Sequence, residues 1–202
     1  MERRLTPYLS IDIETTGISD NAQILQISAV FDDLKSPLGS LKTIDLPIKY
    51  EVLNNAEPYA IGMNAELFKK MMDKNFKVFT PYQAASELIT FIRDCRNLLP
   101  LDWTGNNTQK LVFAGKNVAS FDIPKIKAFL SEVPKPADFI SSFNRDVHYK
   151  TLDVGSLFFD TFGENVSLSE INKLTGRTAV SHNALDDAFD VVHAVRHKLG
   201  IK

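Results

Sequence analysis

Leu9, Ile11 and Ile13 alternate with Tyr8, Ser10, Asp12 and Glu14, a period of two that predicts a strand with aliphatics on one face and both acids on the other. Thr15, Thr16 and Gly17 end it in a turn. Residues 23–31, Q-I-L-Q-I-S-A-V-F, are β-branched and alternating enough for a second strand, and the short link makes it the antiparallel neighbour of the first. Residues 41–50, L-K-T-I-D-L-P-I-K-Y, predict a third, which Pro47 assigns to an edge.

From Asn54 to Thr80 the pattern is helical but irregular, with Leu67, Phe68, Met71 and Met72 at helical spacing and Lys69, Lys70, Lys74 and Lys77 around them. This basic run is either a solvated helix face or a wall that guides a phosphate backbone. Pro81 suits the first turn of a helix whose core stripe is Ala84, Ala85, Leu88, Ile89 and Ile92. Leu98 to Lys110 is turn-rich and reads as a surface loop carrying the lone Trp103, expected to pack rather than stack on a base. L-V-F-A-G at 111–115 predicts a short buried strand and K-I-K-A-F-L-S-E at 125–132 a helix behind it. After a break at Pro134 to Asp138, H-Y-K-T-L-D-V at 148–154 is the last strand. Ser167 and Glu170 form a capping-box pair for a helix ending before Gly176, and a final helix spans about Asn183 to Leu199. Strands first, then alternating strand and helix, predict an α/β domain with a mixed central sheet, one unit over 1–202. Ligands in such sheets sit at the carboxyl ends of the strands, where Asp12 and Glu14 fall.

The 202 residues, 44% hydrophobic with 14 Phe, suffice for a full core. Arg3 and Arg4 are followed by no apolar leader, and no window approaches the ~18 apolar residues of a membrane span, so a soluble, cytoplasmic protein is expected. Cys95 stands alone, which excludes an internal disulfide or a cysteine metal cluster and leaves it a structural role. The net charge of −2 lacks the basic footprint of a duplex-coating protein without excluding nucleic acid.

Two like charges two residues apart on a buried strand are costly unless a cation lies between them, and a divalent metal is the simplest one; a bare D-x-E is also compatible with acids facing water at a strand end. Asn117 and Asp122 fall just beyond the carboxyl end of the 111–115 strand, where Asp122 is either a site acid or an N-cap before Pro124. In the final helix Ala184, Ala188, Val191, Val195 and Leu199 form the apolar stripe; Asp187 points along it, while Asp186 and Asp190 are expected to face water. His182 precedes Asp187 by five residues, about 140° around one ideal helix. The two meet only if His182 lies in the loop ahead of an Asn183 or Ser181 cap.

D-I-E-T-T-G, N-V-A-S-F-D and S-H-N-A-L-D-D-A, in that order over most of the chain, resemble the three exonuclease motifs of the DEDD superfamily in its histidine subgroup, the group of the polymerase III proofreading subunit, ribonuclease T and oligoribonuclease. The resemblance implies a ribonuclease H-like fold and 3′-to-5′ hydrolysis of nucleic acid. It further implies that Asp12, Glu14, Asp122 and Asp187 hold two Mg²⁺ or Mn²⁺ ions, a preference that hard carboxylate oxygens share, with His182 as general base. Thr15, Thr16, Gly17 and Ile18, with Asn117 and Phe121, are expected to receive the 3′ end of a single strand, DNA before RNA. Lys116 departs from the His common in relatives, and Pro124 follows Asp122 closely. Tyr149 and Asp153 fit the Y-x-x-x-D spacing of the sister tyrosine subgroup, but they lie in a strand, whereas H-N-A-L-D-D-A supplies the third motif on a helix. Oligoribonucleotide trimming and a silent nucleic-acid-binding module are the rival expectations. No separate docking segment for a polymerase or other protein partner is visible.

Overall fold

The computed structural model describes residues 5–101, 104–105, 108–133, 138–164, 166–177 and 183–201. Its strands are β1 (Tyr8–Thr15), β2 (Ile24–Asp32), β3 (Lys42–Pro47), β4 (Leu111–Gly115) and β5 (Val147–Asp153). Among the described residues they form one mixed sheet in the order β3-β2-β1-β4-β5. β1 runs antiparallel to β2 and parallel to β4, so the strand bearing Asp12 and Glu14 is central. Pro47, the last residue of β3, sits on an edge strand as its missing donor requires.

Helices cover both faces: α1 (Pro58–Met63), α2 (Ala65–Met71), α3 (Pro81–Asn97), α4 (Asp122–Glu132), α5 (Phe139–Asp146), α6 (Val154–Leu157), α7 (Phe159–Phe162), α8 (Leu168–Leu174) and α9 (Ala184–Leu199). The alternation of β1 divides the core in two. Leu9, Ile11 and Ile13 pack with Ala84, Ala85, Leu88, Ile89 and Ile92 of α3, and with Ile126 and Phe129 of α4. Tyr8 packs on the opposite face with Val30, Ala114 and the Ala188, Val191, Val192 and Val195 stripe of α9. Thr80 and Gln83 close a reciprocal capping box on α3, with Pro81 in the first turn. Cys95, inside that helix, is buried as a structural thiol, and burial pushes it up to about 12.

Two anchors hold α9 down. Arg196 donates from Nε to Asp32 Oδ2 (3.0 Å) and from Nη2 to Asp32 Oδ1 (2.6 Å), and Tyr8 donates its hydroxyl to the same carboxylate at 2.9 Å. Asp190 is the second anchor. The helical pattern assigns it to water, yet it is buried, paired with Arg177 at 2.5 Å and accepting from the Asn172 amide. The difference arises because α8 and the residues after it cover the side of α9 that a single-helix projection leaves open.

The segment between the Pro134 break and β5 also differs from expectation: α5 fills it, with Phe139 and Phe143 buried four residues apart and the Asp138 side chain capping Ser141 N–H. β5 accordingly begins at Val147, one residue early. Trp103 lies outside the described residues.

Candidate active site

β4 is short, and its pairing with β1 stops at Ser10, while β1 runs on to Thr15. The exposed length of β1 therefore carries Asp12 and Glu14 past the sheet neighbour on one side. Ser10 donates its hydroxyl to Ala188 O at 2.8 Å, which fixes α9 across the even-numbered face of β1. In consequence carboxylate oxygens of Asp12, Glu14 and Asp187 lie within 4.8 Å of one another. Asn183 caps α9 by accepting from Leu185 N–H (3.0 Å) and Asp186 N–H (3.4 Å), so Asp187 enters from the first turn.

Asp122 arrives from the other side, buried at the start of α4, where Phe121 is the N-cap and no side chain caps. It lies in the first helical turn and is not the cap itself. Its carboxylate takes hydrogen bonds from the backbone N–H groups of Asp122 and Ile13, and it acts electrostatically on Asp12.

Asp12, Asp122 and Asp187 are each costly to ionise. Burial, followed by the charges of Asp122, Asp187 and Glu14, holds the Asp12 carboxyl well above the usual carboxylate range. Asp122 is pushed to about 7 by burial, against the pull of its two backbone donors, with Glu14 adding to the rise. Asp187 is pushed to about 7 by burial and then by Glu14, Asp190 and Asp186. Its Oδ1 is buried with no hydrogen-bond partner among the described residues. A bare acid cluster this repulsive, with one oxygen orphaned, is the donor set a hard divalent cation would complete.

The turn after β1 is tied down by residues far away in sequence. Thr15 donates its hydroxyl to Gly17 O at 2.7 Å, and Thr16 Oγ1 accepts from Gln23 N–H at 2.9 Å, so both side chains are buried and engaged within the turn. Glu57 accepts from Ile18 N–H (3.0 Å) and Ser19 N–H (3.3 Å), while Lys125 donates from Nζ to Ser19 O at 2.6 Å. A Cβ at Gly17 would lie 2.4 Å from Glu57 Oε1, so this approach requires glycine. Asn64 is buried and donates its amide to Thr15 O at 3.4 Å and Ala60 O at 3.0 Å. The turn thus presents the Ile18 side chain, 80% exposed, to solvent. Glu57, Asn64 and Lys125 are absent from the sequence reading: a solitary Glu, Asn or Lys carries no periodic signal, and each acts on a backbone 38 or more residues distant.

Asn117 adopts a left-handed backbone (φ 58) in the turn after β4, with its N–H donating to Asp153 Oδ2 at 2.6 Å. Its side chain is exposed beside Lys116, and Phe121 is half-buried under Lys125 Nζ, 5.0 Å from the ring centre. Asp153 spends its other oxygen capping α6 through Ser156 N–H, 2.9 Å. Tyr149 lies on the outer strand β5, 84% exposed, four residues before Asp153. His182 falls outside the described residues.

No family model matches this sequence. No curated protein sequence matches it either. Solved structures do. Pop2p of S. pombe, in a form with Mg²⁺ and Mn²⁺ bound, superposes with a TM-score of 0.62 at 15% identity over 95% of this chain and 82% of its own. The chain shares its fold with this and other nuclease structures. E. coli exonuclease I, crystallised with a dT13 oligonucleotide, matches with a TM-score of 0.62 and 14% identity over 96% of this chain. The cell-death related nuclease CRN-4 gives 0.60 and 13% over 96%. The match spans 41% of exonuclease I and 64% of CRN-4, so this chain corresponds to a part of each.

Proposed function

We propose that this chain is a metal-dependent 3′-to-5′ exonuclease that shortens single-stranded nucleic acid, DNA in preference to RNA, releasing nucleoside 5′-monophosphates. The observation that carries this reading is the convergence of Asp12, Glu14 and Asp187 within 4.8 Å, with buried Asp122 beside Asp12 and an Asp187 oxygen that has no hydrogen-bond partner among the described residues. Four acids drawn from three separate segments into mutual repulsion are held together at a cost that function must justify.

Two Mg²⁺ or Mn²⁺ ions held by these acids would supply Lewis-acid activation of water and charge stabilisation at the phosphate. Pop2p is known with both of these metals. Exonuclease I is known with dT13 and dA16 single strands, which supports the substrate class. The chain's own residues then have distinct tasks. Asp122, favoured as the charged form by the Ile13 N–H, adds its carboxylate to the metal-holding set. The turn locked by Glu57 and Lys125 offers Ile18 as an apolar wedge against the terminal base, with Gly17 allowing close approach and Asn117 and Phe121 assigned further contacts to the strand. His182, one residue before the Asn183 cap in sequence, is assigned the general base, since histidine is the side-chain type that ordinarily exchanges a proton near neutrality. A single cysteine with no possible partner supports a cytoplasmic setting. No helix among the described residues is long and apolar enough to cross a membrane.

The test is 5′-labelled single-stranded DNA and matched RNA incubated with protein and Mg²⁺, beside EDTA and Asp12→Ala controls. A ladder receding from the 3′ end, faster on DNA and absent from both controls, is expected. Intact strands, or internal cuts, would sink the reading.

A further inference from the structure

A groove of about 460 Å³ runs between α4, α5 and the outer strand β5, and Ala119 and Ile123 begin it on either side of the Phe121–Asp122 step. None of its lining residues is acidic, and Lys110, Lys127, His148 and Tyr149 line it. The nearest strand-end acids are engaged elsewhere. Asp146 is buried and paired with Arg145 at 2.8 Å and Arg96 at 3.5 Å, and Asp153 is occupied by the Asn117 and Ser156 N–H groups.

The aromatic pair at the outer end is organised for contact. Tyr149 stacks on His148 with centroids 4.7 Å apart and planes at 23°. His148 Nδ1 accepts from Lys150 N–H at 2.9 Å, which sets the imidazole in place. Lys150 Nζ stands 5.8 Å from the Tyr149 ring centre and Lys127 Nζ 5.9 Å from that of Phe143. A strand edge needs a lysine to deter pairing, but it does not need an oriented, stacked and 84% exposed tyrosine beside it.

We propose that this groove is an accessory track for single-stranded nucleic acid, in which His148 and Tyr149 offer a stacking platform for bases upstream of the 3′ end while Lys110, Lys127 and Lys150 follow the phosphates. The inference rests on the exonuclease reading for the position of the 3′ end. Cations interleaved with an open aromatic face are the chemistry that holds a strand without reading its sequence. Tyr149 lies four residues before Asp153 on β5, ~13 Å at ~3.3 Å per residue. Asp153 in turn holds the Asn117 turn beside the acids, so the platform meets nucleotides some way behind the terminal one.

Binding of fluorescent oligothymidylates and oligouridylates, three and twelve nucleotides long, is measured by anisotropy in EDTA to withhold turnover. The twelve-nucleotide strands are expected to bind more tightly than the three-nucleotide ones. Tyr149→Ala weakens the longer strand by roughly tenfold or more, and Tyr149→Trp restores it. Lys127→Ala combined with Lys150→Ala lowers the slope of log affinity against log salt by ~1.4. All three positions are exposed or on the groove rim, so circular dichroism verifies folding without ambiguity. Twelve-nucleotide affinity unmoved by every variant overturns the track even where wild-type protein yields a 3′ ladder with Mg²⁺. Affinity lost in Tyr149→Ala from a wild-type protein that yields no ladder upholds the track and removes the exonuclease reading instead.

Discussion

Asp187 carries a charge that its surroundings oppose, and its pH dependence follows with a definite sign. Its carboxyl and that of Asp122 are both pushed to about 7, above the ~3.9 of an unfolded aspartate. The folded protein therefore binds more protons than the unfolded chain between about pH 4 and 7, and metal-free stability falls as pH rises through that window, reaching its floor above 7. Thermal unfolding in EDTA should show Tm dropping by several degrees from pH 5 to 8, at about 2–4 °C per kcal/mol for a chain of this size. Asp187→Asn should flatten that drop, raise Tm at pH 8 and reduce hydrolysis by at least about 100-fold; a wild-type Tm that climbs over the window contradicts the account. Asp12, Glu14 and Asp187 were legible because acids at strand and helix periodicities stand out against aliphatic stripes. Asp190 was not, since its burial depends on Arg177 and Asn172 arriving from a neighbouring helix.

The helix that brings Asp187 to the sheet is secured at its opposite end by Arg196, buried against Asp32. Breaking one side of such a pair strands the other charge in the core, at a cost of about 3–5 kcal/mol. Arg196→Met should lower the urea unfolding free energy by that amount, and adding Asp32→Asn should recover much of the loss. A double variant whose loss equals the sum of the two single losses would mean the pair contributes no coupling. β1, β4 and α9 could be read from the chain because each satisfies one period over its length. α5 could not: its two buried phenylalanines occupy barely two turns beside a proline-marked break. The lock on the turn after β1 was equally hidden, because Glu57, Asn64 and Lys125 are recruited by the fold and not by any local pattern.

The assembled chain converts unfavourable acid repulsion into affinity for cations. Mg²⁺ at about 100 times its dissociation constant should stabilise the protein by ~2.7 kcal/mol, or roughly 5–10 °C in Tm. The rise should be larger at pH 8 than at pH 5, where protons compete for the same oxygens, and EDTA should reverse it; a rise independent of pH, or unaffected by Asp12→Ala, would locate the cation elsewhere. That the mixed sheet, its central acid-bearing strand and its carboxyl-end site follow from sequence reflects how tightly strand order constrains where β1 and β4 can end. The single thiol has a use of its own. Cys95 sits in the wall between α3 and the sheet, sealed from reagents and poorly ionised. A chromogenic disulfide added to native protein can consume it only during an opening of the surrounding core. Its labelling clock thus counts rare excursions out of the native state, with one tick per molecule and no second cysteine to blur the record.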